Sequence, residues 1–166
     1  MLVLADNDLS EISNQIGRLK KLRVLDLAHN KLTALPDELG DLEGLSDFLY
    51  LHDNQLTSLP SSLANLTKLR YLNISENAFE VWPESFSGMT SLIELRATDN
   101  RLTSLSETIG ELKELRQIDV RGNPLTHLPE AIAQLPRLDK LDLRWVNMLA
   151  PVWIENLEAR GCVVYR

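Results

Sequence analysis

The chain has 166 residues, is 44% hydrophobic but only 5% aromatic, and carries a formal net charge of -7. That length suffices for one domain with an aliphatic core, and the acidic balance weighs against nucleic acid or an anionic membrane surface as the main partner. No apolar run approaches the roughly 20 residues of a membrane-spanning helix.

The opening "MLVLADNDLS" has neither the basic region nor the apolar stretch of a secretory signal. Cys162 is the one cysteine and cannot close an internal disulfide. A reducing, cytoplasmic setting is therefore expected. Asn65-Leu66-Thr67 and Asn73-Ile74-Ser75 are read as chance matches to the glycosylation triplet.

The chain then repeats itself. Asn7, Asn30, Asn54, Asn77, Asn100 and Asn123 follow one another at steps of 23, 24, 23, 23 and 23 residues. The first unit is incomplete: Met1 falls inside a strand, with Leu2 and Leu4 inward. The second unit places Leu22, Leu25, Leu27, Asn30 and Leu32 in the frame L-x-x-L-x-L-x-x-N-x-L. The third carries one extra residue between Leu45 and Leu49, where a local bulge is expected. Leu69, Leu72, Ile74, Asn77 and Phe79 fill the fourth, in which Trp82, Phe86 and Met89 also replace leucines. The fifth uses Leu92, Leu95, Ala97, Asn100 and Leu102, with Ser106 where a proline is expected. The sixth uses Leu115, Ile118, Val120, Asn123 and Leu125.

Between the asparagines runs a second pattern, such as Leu59-Pro60, Leu63, Leu66 and Leu69. Steps of three put these side chains on one face of a helical turn. Alternation within the short strand points Leu25 and Leu27 inward, and Val24 and Asp26 outward. One unit cannot bury its leucines alone, so the units must stack into a solenoid. The asparagine carboxamide is expected to satisfy turn backbone that the sheet cannot reach. From Leu138 the pattern is aberrant. A helix-like stretch is expected over Pro151–Arg160, a stop at Gly161 and a final strand in "CVVY", which would include Cys162. Trp153 and Leu157 would form the lid.

The wording "LTxLPxxLxxLxxLxxLxLxxN" resembles the leucine-rich-repeat family across nearly the whole chain. It is similar to the intracellular subclass of bacterial proteins and Ras-associated scaffolds. The resemblance implies an α/β fold, a curved horseshoe with a parallel sheet on its concave face and short helical turns on the convex face. Residues 1–166 are expected to form one domain: 1–137 as six repeats without an N-terminal cap, and 138–166 as an aberrant last repeat and C-terminal cap. The uncapped edge suggests a piece of a longer array, or a homodimer formed through that edge.

The outward columns carry the candidate site. One reads Met1, Val24, Phe48, Tyr71, Glu94, Gln117, Lys140; the next reads Val3, Asp26, Tyr50, Asn73, Arg96, Asp119, Asp142. Phe48, Tyr50 and Tyr71 fall together on an open face where they add nothing to the core, as binding hot spots do. Val24 extends the patch, while Asp26, Asn73 and Arg96 set its polarity. Near the strand ends lie Ala5, Ala28, His52, Ser75, Thr98, Arg121, Arg144, and Asp6, His29, Asp53, Glu76, Asp99, Gly122, Trp145. The acids of the last column are read as a solvated rim or a lure for a basic partner. His29, His52 and Asp53 match no metal motif.

No phosphate loop or nucleophile-base pair stands out, so no catalytic residue, cofactor or metal is expected. The expected function is a protein–protein interaction module, or scaffold, binding a partner protein on the concave face. The alternative is the substrate-recognition fragment of a larger bacterial effector, ubiquitin ligase or kinase, including a secreted effector acting in a host cell.

Overall fold

Leucines at every second strand position and at every third turn position leave each unit with two apolar faces, which only a neighbouring unit can cover. In the computed structural model, which describes residues 1–166, stacking produces one sheet of eight parallel strands in sequence order. The strands are β1 (Leu2–Val3), β2 (Val24–Asp26), β3 (Phe48–Tyr50), β4 (Tyr71–Asn73), β5 (Glu94–Arg96), β6 (Gln117–Asp119), β7 (Lys140–Asp142) and β8 (Val163–Tyr165). Opposite the sheet run six five-residue 3-10 turns: Asn14–Arg18, Asp37–Asp41, Ser61–Asn65, Glu84–Gly88, Glu107–Glu111 and Glu130–Gln134. Between the two layers lies a single continuous core, which runs from Ile16 to Cys162. It takes in Leu25, Leu49, Leu72, Leu95, Ile118 and Leu141, all with no exposed surface. Each such side chain contributes about 2 kcal/mol of burial.

Four of the turns are preceded by proline: Pro36, Pro60, Pro83 and Pro129. The other two begin at serine, and there a side chain does the capping. Ser13 Oγ accepts from the Gln15 amide, and Ser106 Oγ from the Thr108 amide. Ser106 is thus a substitute for proline rather than a defect. In the fourth unit Trp82 meets Phe86 edge-on at 4.9 Å, both within the core.

The asparagines tie each unit to the one before it. Asn30, Asn54, Asn77, Asn100 and Asn123 accept from the amides of Leu9, Leu32, Leu56, Phe79 and Leu102, at 2.9–3.1 Å. Their Nδ2 groups donate both to their own turn and back to Leu4, Leu27, Leu51, Ile74 and Ala97 carbonyls. Asn147 is exposed and takes no part in this pattern.

Three expectations change in detail. The extra residue of the third unit makes no bulge in the ladder. It is absorbed as a bend at Asp47, before β3, and Val24–Asp26 stays in unbroken register with Phe48–Tyr50. The C-terminal helix α1 spans only Ile154–Ala159, because Pro151 and the turn at Val152–Trp153 delay it. Cys162 precedes β8 rather than joining it, since Gly161, at φ +93°, reverses the chain into a buried Cys162 first. Ile154 and Leu157 close the core, with Trp153 only half-buried beside them.

Candidate functional site on the concave face

The parallel register makes the variable columns into rows of touching side chains. Val24, Phe48, Tyr71, Glu94, Gln117 and Lys140 are successive cross-strand partners, as are Asp26, Tyr50, Asn73, Arg96, Asp119 and Asp142. Phe48 and Tyr50 stack with centroids 5.7 Å apart, and Tyr71 leans on both at 5.4 and 5.2 Å. The Arg96 guanidinium sits 5.9 Å from the Tyr71 ring centre while its Nε donates to Glu94 Oε1 at 2.7 Å. The structure therefore brings Val24, Phe48, Tyr50, Tyr71 and Arg96 together. Phe48 remains 41% exposed, whereas both tyrosines are half-buried. Burial pushes both phenols up, so each is a neutral donor near pH 7. A shallow groove of about 370 Å³ flanks the patch, lined by Arg23, Asp47, Phe48, Arg70, Tyr71, Ile93 and Glu94.

Asp26 and Asn73 are more constrained than an outward position suggests. Asp26 Oδ1 accepts from the Ala28 amide at 3.1 Å, and Asn73 Oδ1 from the Ser75 amide at 3.0 Å. Asp119 and Asp142 repeat the bond to Arg121 and Arg144. This column therefore shapes the exit from each strand. Asn73 is buried, 8% exposed, under its neighbours.

The next two columns are backbone devices as well. Ala28, Ser75 and Thr98 are buried, and Ser75 Oγ accepts from the Thr98 amide. Every member of the column Asp6, His29, Asp53, Glu76, Asp99, Gly122, Trp145 has φ between +51° and +69°. This left-handed conformation is most easily taken by Gly, Asn, Asp and His. Much of the acid content of this rim thus follows from the turn. Within it, His29 Nδ1 lies 2.7 Å from Asp53 Oδ2, and that bond holds the His29 pKa above its ordinary value. His52 meets His29 edge-on at 4.9 Å; burial pushes its pKa down, and its buried Nδ1 has no partner. No three His, Cys, Asp or Glu side chains are grouped to hold a metal ion. Burial pushes the Cys162 thiol up, away from the reactive thiolate.

A second aromatic cluster went unread in the sequence. At the C-terminal end of the same face, Arg121 and Arg144 lie 5.8 and 5.7 Å from the Trp145 ring centre. Arg144 and Lys140 also lie 5.3 Å from Tyr165. The column containing Arg121, Arg144 and the column ending in Trp145 were the available signal. Tyr165 belonged to no column until β8 was placed beside β7.

No helix of the chain is long and apolar enough to cross a membrane. A search of curated protein sequences finds no match. Among solved structures, the chain is similar to the Arabidopsis receptor kinase HAESA, at 32% identity and a TM-score of 0.75 over 89% of this chain and 26% of that one. It is similar to an internalin C2 of Listeria monocytogenes, at 28% identity and TM-score 0.72 over 89% of this chain and 60% of that one. It also shares the fold of a leucine-rich-repeat protein of Leptospira interrogans, at 24% identity and TM-score 0.54 over 99% of this chain and 60% of that one. The chain thus spans less than two thirds of each of these neighbours. The family profile described as a leucine-rich repeat region matches residues 2–104, and a second, described as leucine rich repeat, matches residues 93–149. With eight parallel strands, short 3-10 turns and a ladder of asparagines behind those matches, the chain belongs to the leucine-rich-repeat family.

Proposed function

We propose that this chain recognises a partner protein on its concave face, with Phe48, Tyr50 and Tyr71 as anchors. Val24 extends the apolar contact, Arg96 supplies a charge at its edge, and Asp26 and Asn73 hold the strand exits on which the anchors stand. The observation that carries this reading is the mutual contact of three aromatics on an open sheet, outside the core. Aromatic side chains concentrate binding energy at interfaces, and a rigid scaffold presents them with little ordering cost. The HAESA structure was solved in complex with a peptide hormone and a co-receptor, which supports a protein or peptide as the partner class. We read the chain as a binding module rather than an enzyme, with residues 1–137 as the recognising array and 138–166 as its cap. A cytoplasmic setting fits the lone, buried cysteine.

A pull-down from lysate with the wild type and with F48A/Y50A/Y71A tests the site, after circular dichroism has shown both to be folded. A protein held by the wild type and lost by the variant supports the reading. Equal capture moves binding to another surface. For a partner so identified, Tyr71→Ala is expected to weaken affinity by about 2 kcal/mol. The second reading, a recognition arm within a larger effector, ubiquitin ligase or kinase, is favoured by the share of its neighbours that this chain spans. The sequence flanking these residues in the full gene separates the two.

A further inference from the structure

We propose that the C-terminal end of the concave face is a second recognition surface, built around Trp145, and that it takes an extended acidic peptide segment. The charges there are layered. Asp142 has no exposed surface and lies under Arg144, which grips it through Nε at 2.9 Å and a terminal nitrogen at 2.8 Å. Asp119 lies similarly under Arg121, at 3.1 Å. The side chains of Arg121, Arg144 and Lys140 are 28%, 40% and 36% exposed, against 10% and 0% for the two aspartates. Solvent therefore meets the cations, while their counter-charges are held beneath. On a chain of net charge -7 the outer layer here is cationic, with three cations over two covered carboxylates, and it fits an acidic partner.

The aromatic component is equally specific. Trp145 is 74% exposed and has two guanidiniums 5.8 and 5.7 Å from its ring centre. It also adopts φ +62° at the position that other units fill with Asp, His, Glu or Gly. A bulky aromatic there is strained, and such strain is retained chiefly where function requires it. The exposed indole and the rim of Tyr165 offer flat apolar area. The aspartates beneath hold both guanidiniums in place, taking Nε of each and one terminal nitrogen of Arg144, and the remaining terminal N–H groups are left for an incoming carboxylate. Arg and Trp together are the usual composition of an interface anchor.

The fold supplies a clean variant. Gly122 already occupies the equivalent position one unit earlier, so Trp145→Gly keeps the backbone while removing the indole. Lys140→Gln removes a cation whose nearest acid is 4.0 Å away. A displayed library of random twelve-residue peptides is selected on the wild type, on W145G, on K140Q and on F48A/Y50A/Y71A. Wild type and the triple variant are expected to enrich Asp- and Glu-rich peptides alike. W145G should bind those peptides at least tenfold more weakly, and K140Q several-fold more weakly. An empty selection, or enrichment without acidic bias, overturns the proposal. So does an acidic bias that survives W145G, or tighter binding of a fluorescein-labelled single-stranded oligonucleotide than of any peptide. Loss of acidic peptides in the triple variant alone would instead place them on the Phe48 patch.

Discussion

Two regions of the concave sheet solve the same geometric problem with different chemistry. Around β3 and β4 the aromatics lean on one another, and the polar group beneath them is the neutral carboxamide of Asn73. Around β6 to β8 the aromatics are flanked by guanidiniums, and the groups beneath are the carboxylates of Asp119 and Asp142. The backbone task at each site is identical, since all three side chains accept the amide two residues on. What differs is the residual charge. Asparagine completes its turn and leaves nothing over, whereas Asp119 and Asp142 leave a negative charge that Arg121 and Arg144 cover at the surface. The choice acts together with the residue two places on: Asp119 and Asp142 are followed by Arg121 and Arg144, whereas Asp26 makes the same turn bond to Ala28 and meets no guanidinium.

Asp142→Ala should separate the two regions most sharply. It removes a buried acceptor and leaves Arg144 and the Arg144 amide without their partner. Because Arg144 still reaches water, the expected loss is about 2 kcal/mol, below the range for fully buried pairs. Asn73→Ala, at the same place in β4, should cost about 1 kcal/mol, the value of one neutral hydrogen bond. Equal losses in urea denaturation would mean that the charge adds nothing. Trp145→Gly is expected to raise stability by about 0.5 kcal/mol, because relief of the left-handed strain outweighs the added freedom of the unfolded chain. A lower Tm for that variant would show that the indole contacts matter more than the strain.

The smallest effect lies at the histidines, which follow β2 and β3 beside the Phe48 patch. His29 should titrate above 6.5 and His52 below it. His29 then contributes stability that is full below 6.5 and is lost as pH rises through its folded value. His52 acts oppositely, with stability intact well above 6.5 and falling as pH drops toward its folded value. Ring resonances followed by NMR should show this order. Asp53→Asn should bring His29 back toward 6.5, and an unchanged His29 would remove Asp53 as the cause.

The period of the asparagines and the spacing of the leucines carried the architecture, because a repeating core leaves each apolar position only one place to go. The patch of Phe48, Tyr50 and Tyr71 was readable for the same reason: strand alternation assigns faces. Less could be read where side chains serve the backbone. Asp53, Glu76 and Asp99 looked like a charge pattern until their φ angles gave a conformational reason for the column. Asn73 looked outward by alternation, but its carboxamide is consumed by the Ser75 amide. The basic cluster depended on β8 lying beside β7, and its two halves, Lys140 and Tyr165, belong to different patterns in the sequence.

The backward reach of each asparagine has a kinetic implication. A unit's turn amide finds its acceptor only when the asparagine of the next unit arrives, some 21 or 22 residues later. On a ribosome, where the N-terminal part emerges first, each unit would wait for its successor and then lock. Structure would advance along the nascent chain like a zip fastener whose every tooth is closed by the one that follows.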